Sequence, residues 1–235
     1  MKNKTRFTTL IVLGLAIFIL LGCQLASQAT PVPAPDSGPD SPPTQEPPST
    51  QALEPTPSQV QELDISSAVL TLDDLHPGFE EFSPEELGMS MEDFSDETFQ
   101  PEEVFIFVNI QDFQMVFGFN FLLTSKLDRV AFDAGVSNPE ITIPAFVSGM
   151  GSENVRDEKM LEGLEDIGEK QIGMTMVTDL EGVPAQVDVI MFRRDVVGAM
   201  LMSMVMEGES PNITIHELGL KLDQRIQESL QSTGN

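Results

Sequence analysis

Residue types that commonly perform catalysis are scarce in this chain of 235 residues, which has one cysteine and two histidines. His76 precedes a proline in a sequence typical of a loop. His216 falls in the first turn of a predicted helix, where the helix dipole disfavours a positively charged ring. Both positions are more typical of structural histidines than of catalytic or metal-binding ones.

Other sequence patterns for catalysis or ligand binding are incomplete. Residues 146–151 lack the glycine that a nucleophile elbow places two residues before the serine, here Ser148, and we predict a flexible loop there. The acidic segment 92–97 offers oxygen ligands suited to calcium, but it lacks the spacing and central glycine of an EF-hand. A phosphate-binding glycine loop is absent. The sequence therefore predicts no enzymatic activity, no cofactor and no metal.

The composition excludes further functional classes. The net charge of −26 would repel nucleic acid, and acidic surfaces of this kind are usually solvated surfaces. The chain also contains no tryptophan and no tyrosine, the amphipathic aromatic residues on which many carbohydrate sites depend. The acidic charge is consistent with binding of cations, with binding of basic partners, or with solubility alone.

The position of the single cysteine points to chemistry of another kind. Lys2, Lys4 and Arg6 precede an apolar run, residues 10–21, that is too short to span a bilayer, since spanning takes about 20 apolar residues. The residues Leu20-Leu21-Gly22-Cys23 resemble the lipobox of bacterial lipoproteins. That resemblance implies cleavage before Cys23 and a diacylglyceryl group on its sulfur.

These features predict the location and layout of the protein. Residues 1–22 are the signal peptide, and two or three acyl chains of the palmitate type on Cys23 hold the chain on the cell membrane, facing the extracytoplasmic side. Residues 23–60 are rich in proline, serine and threonine and form a disordered spacer. Residues 61–235 form one domain. Removal of the signal peptide takes three basic residues and no acidic one, which lowers the net charge to −29.

Alternating apolar residues predict several strands in this domain. The segments are residues 67–72, 104–110, 114–123, 172–179, 185–193 and 196–207. In the third of these, Phe117 and Phe119 fall on one face and Gln114 and Asn120 on the other, as expected of a half-buried strand. Short connections between the last three segments favour an antiparallel meander.

Capping residues and 3.6-residue periodicity predict the helices. Ser83-Pro84 begins a short helix, and Ser125 caps a helix with an apolar face of Leu127, Val130, Ala131 and Ala134. Residues 157–167 form a second amphipathic pattern. Thr214 and Glu217 form a capping box at the start of the last helix, whose apolar stripe faces the sheet.

The predicted fold is therefore α+β, with a mainly antiparallel sheet of about five to six strands and helices packed on it. The order of elements from residue 70 to residue 231, including the strand with Arg193-Arg194-Asp195, resembles the extracytoplasmic α/β sandwiches of PsbP-like proteins and of receptor-kinase sensor domains. Asp195 replaces the glycine usual in that turn. The resemblance implies binding of a ligand or partner outside the cell, without catalytic residues.

Methionine placement is the most distinctive feature of the domain. Met200, Met202, Met204 and Met206 occupy alternate positions of one strand. Flexible, polarizable methionine side chains can line a surface that accepts varied apolar partners, although a strand covered on both faces has the same pattern, and we favour the core interpretation. The candidate ligand-binding residues are Phe117, Phe119, Met200, Met202 and Met204.

The leading hypothesis is a non-enzymatic binding or assembly module of the cell envelope, anchored through Cys23 and recognising a protein or another envelope component. The first alternative is a carrier of an apolar ligand or lipid that uses the phenylalanine and methionine faces as cavity walls. The second alternative is calcium-dependent adhesion through residues 92–97.

Overall fold

The computed structural model describes residues 63–87, 101–149, 155–180 and 182–233. These residues form an α+β fold built on one sheet, in which every neighbouring pair of strands is antiparallel. The predicted fold class is confirmed. The sheet has seven strands, more than the five or six predicted, because two short edge strands carry little sequence signal.

The strands follow the order β1-β2-β3-β7-β6-β5-β4 across the sheet. The last three strands in sequence form the predicted meander, and β7 returns to pair with β3 in the centre. The strands are β1 (Phe79–Glu81), β2 (Glu103–Asn109), β3 (Gln114–Leu122), β4 (Val155–Met160), β5 (Lys170–Leu180), β6 (Val183–Arg194) and β7 (Val197–Met206).

Three α-helices lie in the described residues: α1 (Lys126–Val136), α2 (Pro139–Gly149) and α3 (Ile215–Thr233). Ser125 caps α1 as predicted, accepting a hydrogen bond from the backbone N–H of Asp128 at 3.1 Å. The short helix predicted near Ser83 is a single 3-10 turn, Glu85–Leu87. None of the helices in these ranges has both the length and the apolar character needed to cross a bilayer.

The first face of the sheet is closed by α3. Leu218, Leu222 and Ile226 are completely buried against side chains of the central strands, which confirms the predicted apolar stripe. Gly219 allows the helix to approach closely, because a Cβ atom there would lie 2.6 Å from Ile190 Cδ1. We call this side of the sheet the α3 face.

Two polar side chains of β3 are buried on the α3 face, where the sequence predicted a half-buried strand with Gln114 and Asn120 on its polar side. The Gln114 amide donates to Ser203 Oγ at 2.9 Å and to the Ile213 carbonyl at 2.8 Å, and its oxygen accepts from the backbone N–H of Asn212 at 2.8 Å. Asn120 donates to the Ala68 carbonyl at 2.7 Å. Both side chains hydrogen-bond to segments that flank the sheet. These partners are distant in sequence, so the alternation of residues along β3 does not reveal that the two side chains are buried.

The two edges of the sheet are short or irregular. At one edge, β1 has three residues, of which Glu80 and Glu81 are exposed. At the other edge, the pairing of β4 with β5 is interrupted between Arg156 and Lys159, and Asp157 has a positive φ of 56°. Neither edge offers a long regular row of unpaired backbone groups.

Two predicted elements are wrong. Residues 67–72 form turns that lead into a 3-10 helix, Leu72–Asp74, although Ala68 and Leu70 are buried in the core as the apolar run suggested. Residues 157–167 form the end of β4 and an irregular loop in place of a helix. Gly163 has a φ of 74° and Asp157 also lies in the left-handed region, so the backbone cannot continue as an α-helix there.

Candidate functional site

The second face of the sheet is lined with methionine, and we call it the methionine face. Seven of the nine methionines in the described residues belong to its packed cluster, alternating along their strands with residues of the α3 face. Phenylalanine and valine side chains from β3 and β6 complete the layer. The methionines are Met115 of β3, Met174 and Met176 of β5, Met191 of β6, and Met200, Met202 and Met204 of β7.

The five candidate ligand-binding residues are brought together on this face. Phe119 is paired with Met200 across β3 and β7, Phe117 is paired with Met202, and Met204 follows on the same side of β7. Phe117, Met200 and Met202 are buried, whereas Phe119 and Met204 are partly exposed. Most of this surface is therefore packed core in the present conformation.

The cover of the methionine face includes α2. Ile143, Phe146 and Val147 pack onto the methionine cluster, together with Phe82 and Leu87 from the segment after β1. Pro144 lies inside the helix and has no N–H to donate to the carbonyl of Glu140. The flexible loop predicted at residues 146–151 is wrong for residues 146–149, because they complete α2.

The apolar stripe of α1 does not face the core. Leu127 is 75 % exposed and Val130 is 54 % exposed, and Ile141 at the start of α2 is 62 % exposed. We call these three residues the hairpin patch. Leu127 and Val130 are neighbours on α1, three residues apart, and clustered large apolar side chains left in water mark an interaction surface more often than single ones do.

The opposite side of α1 is fixed to the sheet by an ion network. Arg193 donates to both carboxylate oxygens of Asp133 at 2.8 and 2.9 Å, to Glu169 Oε2 at 2.7 Å and to the Asp195 carbonyl at 2.9 Å. The hydrogen bonds from Arg193 hold the pKa of the Asp133 carboxyl below its ordinary value. Phe132 adds a ring contact with Phe121 at 6.1 Å between centroids. These contacts turn the patch outward.

The turn after β6 holds Asp195 in a backbone conformation that favours glycine. Asp195 has a φ of 51°, in the left-handed region that glycine adopts without strain and aspartate tolerates better than most residues. Its carboxylate lies 3.8 Å from Arg129 Nη1 in α1. The side chain therefore adds a contact to α1 that glycine would not supply.

Both histidines make contacts with single neighbouring residues at the surface. His76 Nδ1 is 2.8 Å from the Asn212 carbonyl oxygen, and His216 Nε2 is 2.9 Å from Asp166 Oδ1, both in surface contacts. Within residues 63–87, 101–149, 155–180 and 182–233, no group of three or more histidine, cysteine or acidic side chains could hold a metal ion. Cys23 and the acidic segment 92–97 lie outside the described residues.

A recess of about 420 Å³ lies beside the β4 edge. Met160, Leu161 and Gly173 contribute apolar or backbone surface, and Glu162 and Glu165 contribute carboxylates. None of the residues predicted as ligand-binding lies there, so the recess and the methionine face are separate features.

The sequence interpretation missed α2 and therefore the hairpin. A signal was present: Asn138 can cap a helix, and Pro139 suits its first position. The outward direction of the α1 stripe had no such signal, since it depends on Arg193 and Glu169, which follow α1 by more than 30 residues. Known protein families and curated proteins offer no match to this chain.

Proposed function

We propose that this chain is a lipid-anchored, extracytoplasmic binding or assembly module without enzymatic activity. Cys23 carries the lipid, residues 24–60 act as a spacer, and the folded domain recognises a protein or another component of the cell envelope. The proposal combines the arrangement of the N-terminal sequence with the surface of the domain.

The observation that carries the binding role is the hairpin patch. Arg193, Asp133 and Phe132 fix α1 with Leu127 and Val130 in water, and Ile141 is exposed at the start of α2. Burying a large apolar side chain contributes about 1.5–3 kcal/mol, so leaving three of them exposed forgoes a considerable stabilisation. A surface kept apolar at this cost supports a role in contact with a partner.

The chemistry of the described residues supports a non-enzymatic role. Both histidines are engaged with surface groups, and the carboxyls of Asp133 and Asp74, each with a lowered pKa, accept hydrogen bonds from arginine. These carboxyls are ionised structural partners, whereas a general acid or base needs a pKa near the working pH.

The test is photo-crosslinking in cells. A photoreactive amino acid replaces Leu127 or Val130 in the full-length chain, and Ile110, a 42 % exposed residue in the β2–β3 turn, serves as the matched control. We expect a defined crosslinked product from positions 127 and 130 and none from 110. Equal crosslinking at all three positions, or none at any, contradicts the proposal, as does hydrolytic activity that replacement of His76 abolishes.

A second candidate function is transport of an apolar ligand, favoured by the methionine face beneath α2. Methionine side chains repack readily around varied shapes, and Pro144 removes one backbone hydrogen bond from α2, which eases movement of this cover. Native mass spectrometry of the protein purified from its own host tests this function. A bound lipid mass supports it, whereas an apo mass together with a fully packed methionine face removes it.

A further inference from the structure

We infer that the partner of the hairpin patch is the lipid bilayer itself, so that the domain rests on the membrane through α1 and the start of α2. This inference rests on the proposed function, because it takes the lipid on Cys23 as the tether. It adds an orientation: one end of the sheet faces the membrane, and the β2–β3 turn faces away.

The first argument is the position at which the spacer joins the domain. The Asp64 carbonyl accepts a hydrogen bond from Ser229 Oγ at 3.1 Å near the end of α3, and Ala68 is bound to Asn120 near the end of β3. Helix α1 begins at Lys126, four residues after β3 ends. The tethered end of the domain and the hairpin patch therefore lie at the same end of the sheet.

The second argument is charge. Across α1 and α2, Lys126 and Arg129 nearly balance three acidic residues, of which Asp133 is bound to Arg193 and Asp128 caps the helix. By contrast, residues 71–87, whose strand β1 pairs with the other end of β2, contain six acidic residues and no lysine or arginine. The α1–α2 hairpin therefore repels anionic headgroups less than residues 71–87 do.

Lys126 and Arg129 also lie in the same turns of α1 as Leu127 and Val130. Apolar side chains bordered by long basic side chains suit the bilayer interface, where the former reach the acyl boundary and the latter reach the headgroups. The contact can be weak in isolation, because the tether holds the domain at a high effective concentration near the surface.

A fluorescence experiment on the mature, lipidated chain tests this inference. Cys23 is the only cysteine in the sequence, so once it is lipidated a single introduced cysteine is the only reactive thiol. An environment-sensitive dye is attached in separate variants at Leu127→Cys, Val130→Cys and Ile110→Cys. The proteins are reconstituted in vesicles of phosphatidylethanolamine and phosphatidylglycerol, with and without spin-labelled lipids that quench at shallow depth.

The expected result is a blue-shifted emission at positions 127 and 130 with quenching several-fold stronger than at 110. The double substitution Leu127→Ser with Val130→Ser should make a dye at Ile141→Cys respond as the control does. Both replaced residues are mostly exposed, so the thermal unfolding of this variant should match that of the parent.

Other outcomes overturn the inference in distinguishable ways. If lipid quenching at positions 127 and 130 is no stronger than at position 110, the bilayer is excluded as the partner. If crosslinking in cells still joins position 127 to a protein, the proposed function stands and only the inference fails. A blue shift that grows with protein density without lipid quenching identifies a second copy as the occupant. A Cys23 peptide without lipid in the mass spectrum removes the anchor, and with it both proposals.

Discussion

The α3 face and the methionine face are built from alternate residues of the same strands, yet they are covered in different ways. On the α3 face, a helix of 19 residues lies close to β6 through Gly219, begins with a capping box and is bound to the sheet by Arg194 and Asp223. On the methionine face, the covering helix α2 has 11 residues, is apolar around its circumference and contains Pro144.

The difference predicts which face contributes most to the stability of the domain and where local opening begins. Rigid aliphatic side chains and paired polar groups fix α3 in one position, whereas flexible methionine side chains under a short helix tolerate repacking. We therefore expect the free energy of unfolding to depend mainly on the α3 face, and local opening to begin at the α1–α2 hairpin.

The largest effect is expected from Leu222→Ala on the α3 face. Leu222 is fully buried, so the substitution should lower the free energy of unfolding by about 2–5 kcal/mol through lost burial and a residual cavity. The matched change Leu127→Ala in the exposed hairpin patch should alter it by no more than about 0.5 kcal/mol. Urea titration of both variants measures the contrast, and similar losses would show that α1 is packed as tightly as α3.

The next effect is expected at the network that holds α1. Arg193→Met leaves Asp133 and Glu169 without their partner and should destabilise the domain by about 1–3 kcal/mol, less than a fully buried pair because both carboxylates are partly in water. Hydrogen exchange should show faster opening of α1 while α3 stays protected. Arg156→Met, which removes exposed ion pairs with Asp157 and Glu207, is the control and should have a smaller effect.

A smaller effect is expected when methionine and leucine replace one another at single positions on the two faces of β7. Met202→Leu should change the free energy of unfolding by less than about 1.5 kcal/mol, because the neighbouring methionines can adjust to the new shape. Leu201→Met, one residue away on the α3 face, should cost more, since Leu201 is fully buried in a cluster of aliphatic and phenylalanine side chains that contains no methionine. If Met202→Leu proves the more costly of the two in denaturant titrations, the methionine face is not the adaptable one.

The smallest effect is expected on the stability of the domain at low pH. Hydrogen bonds from Arg193 lower the pKa of Asp133 in the folded state, so the unfolded chain binds a proton first as the pH falls. The stabilisation from this pair is complete above the ordinary carboxyl range and is lost as the pH falls below about 4 and through the lowered pKa. Unfolding measured at decreasing pH should show this loss in the parent and less of it in Arg193→Met. Identical pH profiles would contradict the assignment.

Periodicity and capping residues predicted most of the sheet and two of the three helices. The strands β2, β3, β5, β6 and β7, the Ser125 cap and the Thr214 capping box were within reach because their signals are local. The apolar pattern of residues 157–167 was misleading, since Leu164 and Ile167 are buried from a loop whose path depends on Gly163 and Gly168 in left-handed conformations.

The candidate site was predictable in composition but not in accessibility. Alternation alone placed Phe117, Phe119, Met200, Met202 and Met204 on shared faces of their strands, and the pairing of β3 with β7 joins them. Whether such a face is open depends on α2, which packs on it from a distant part of the chain. The hairpin patch depends in the same way on Arg193, more than 60 residues after Leu127.

The irregular edges of the sheet have a consequence for crowding. Proteins held on a membrane meet one another at high local density, and an open sheet with regular edges could grow by strand addition into ordered aggregates. Here one edge strand is three residues long and carries two glutamates, and the other is broken between Arg156 and Lys159. Neighbouring copies of the domain therefore find no template for cross-β growth at either edge of the sheet, at whatever density they meet.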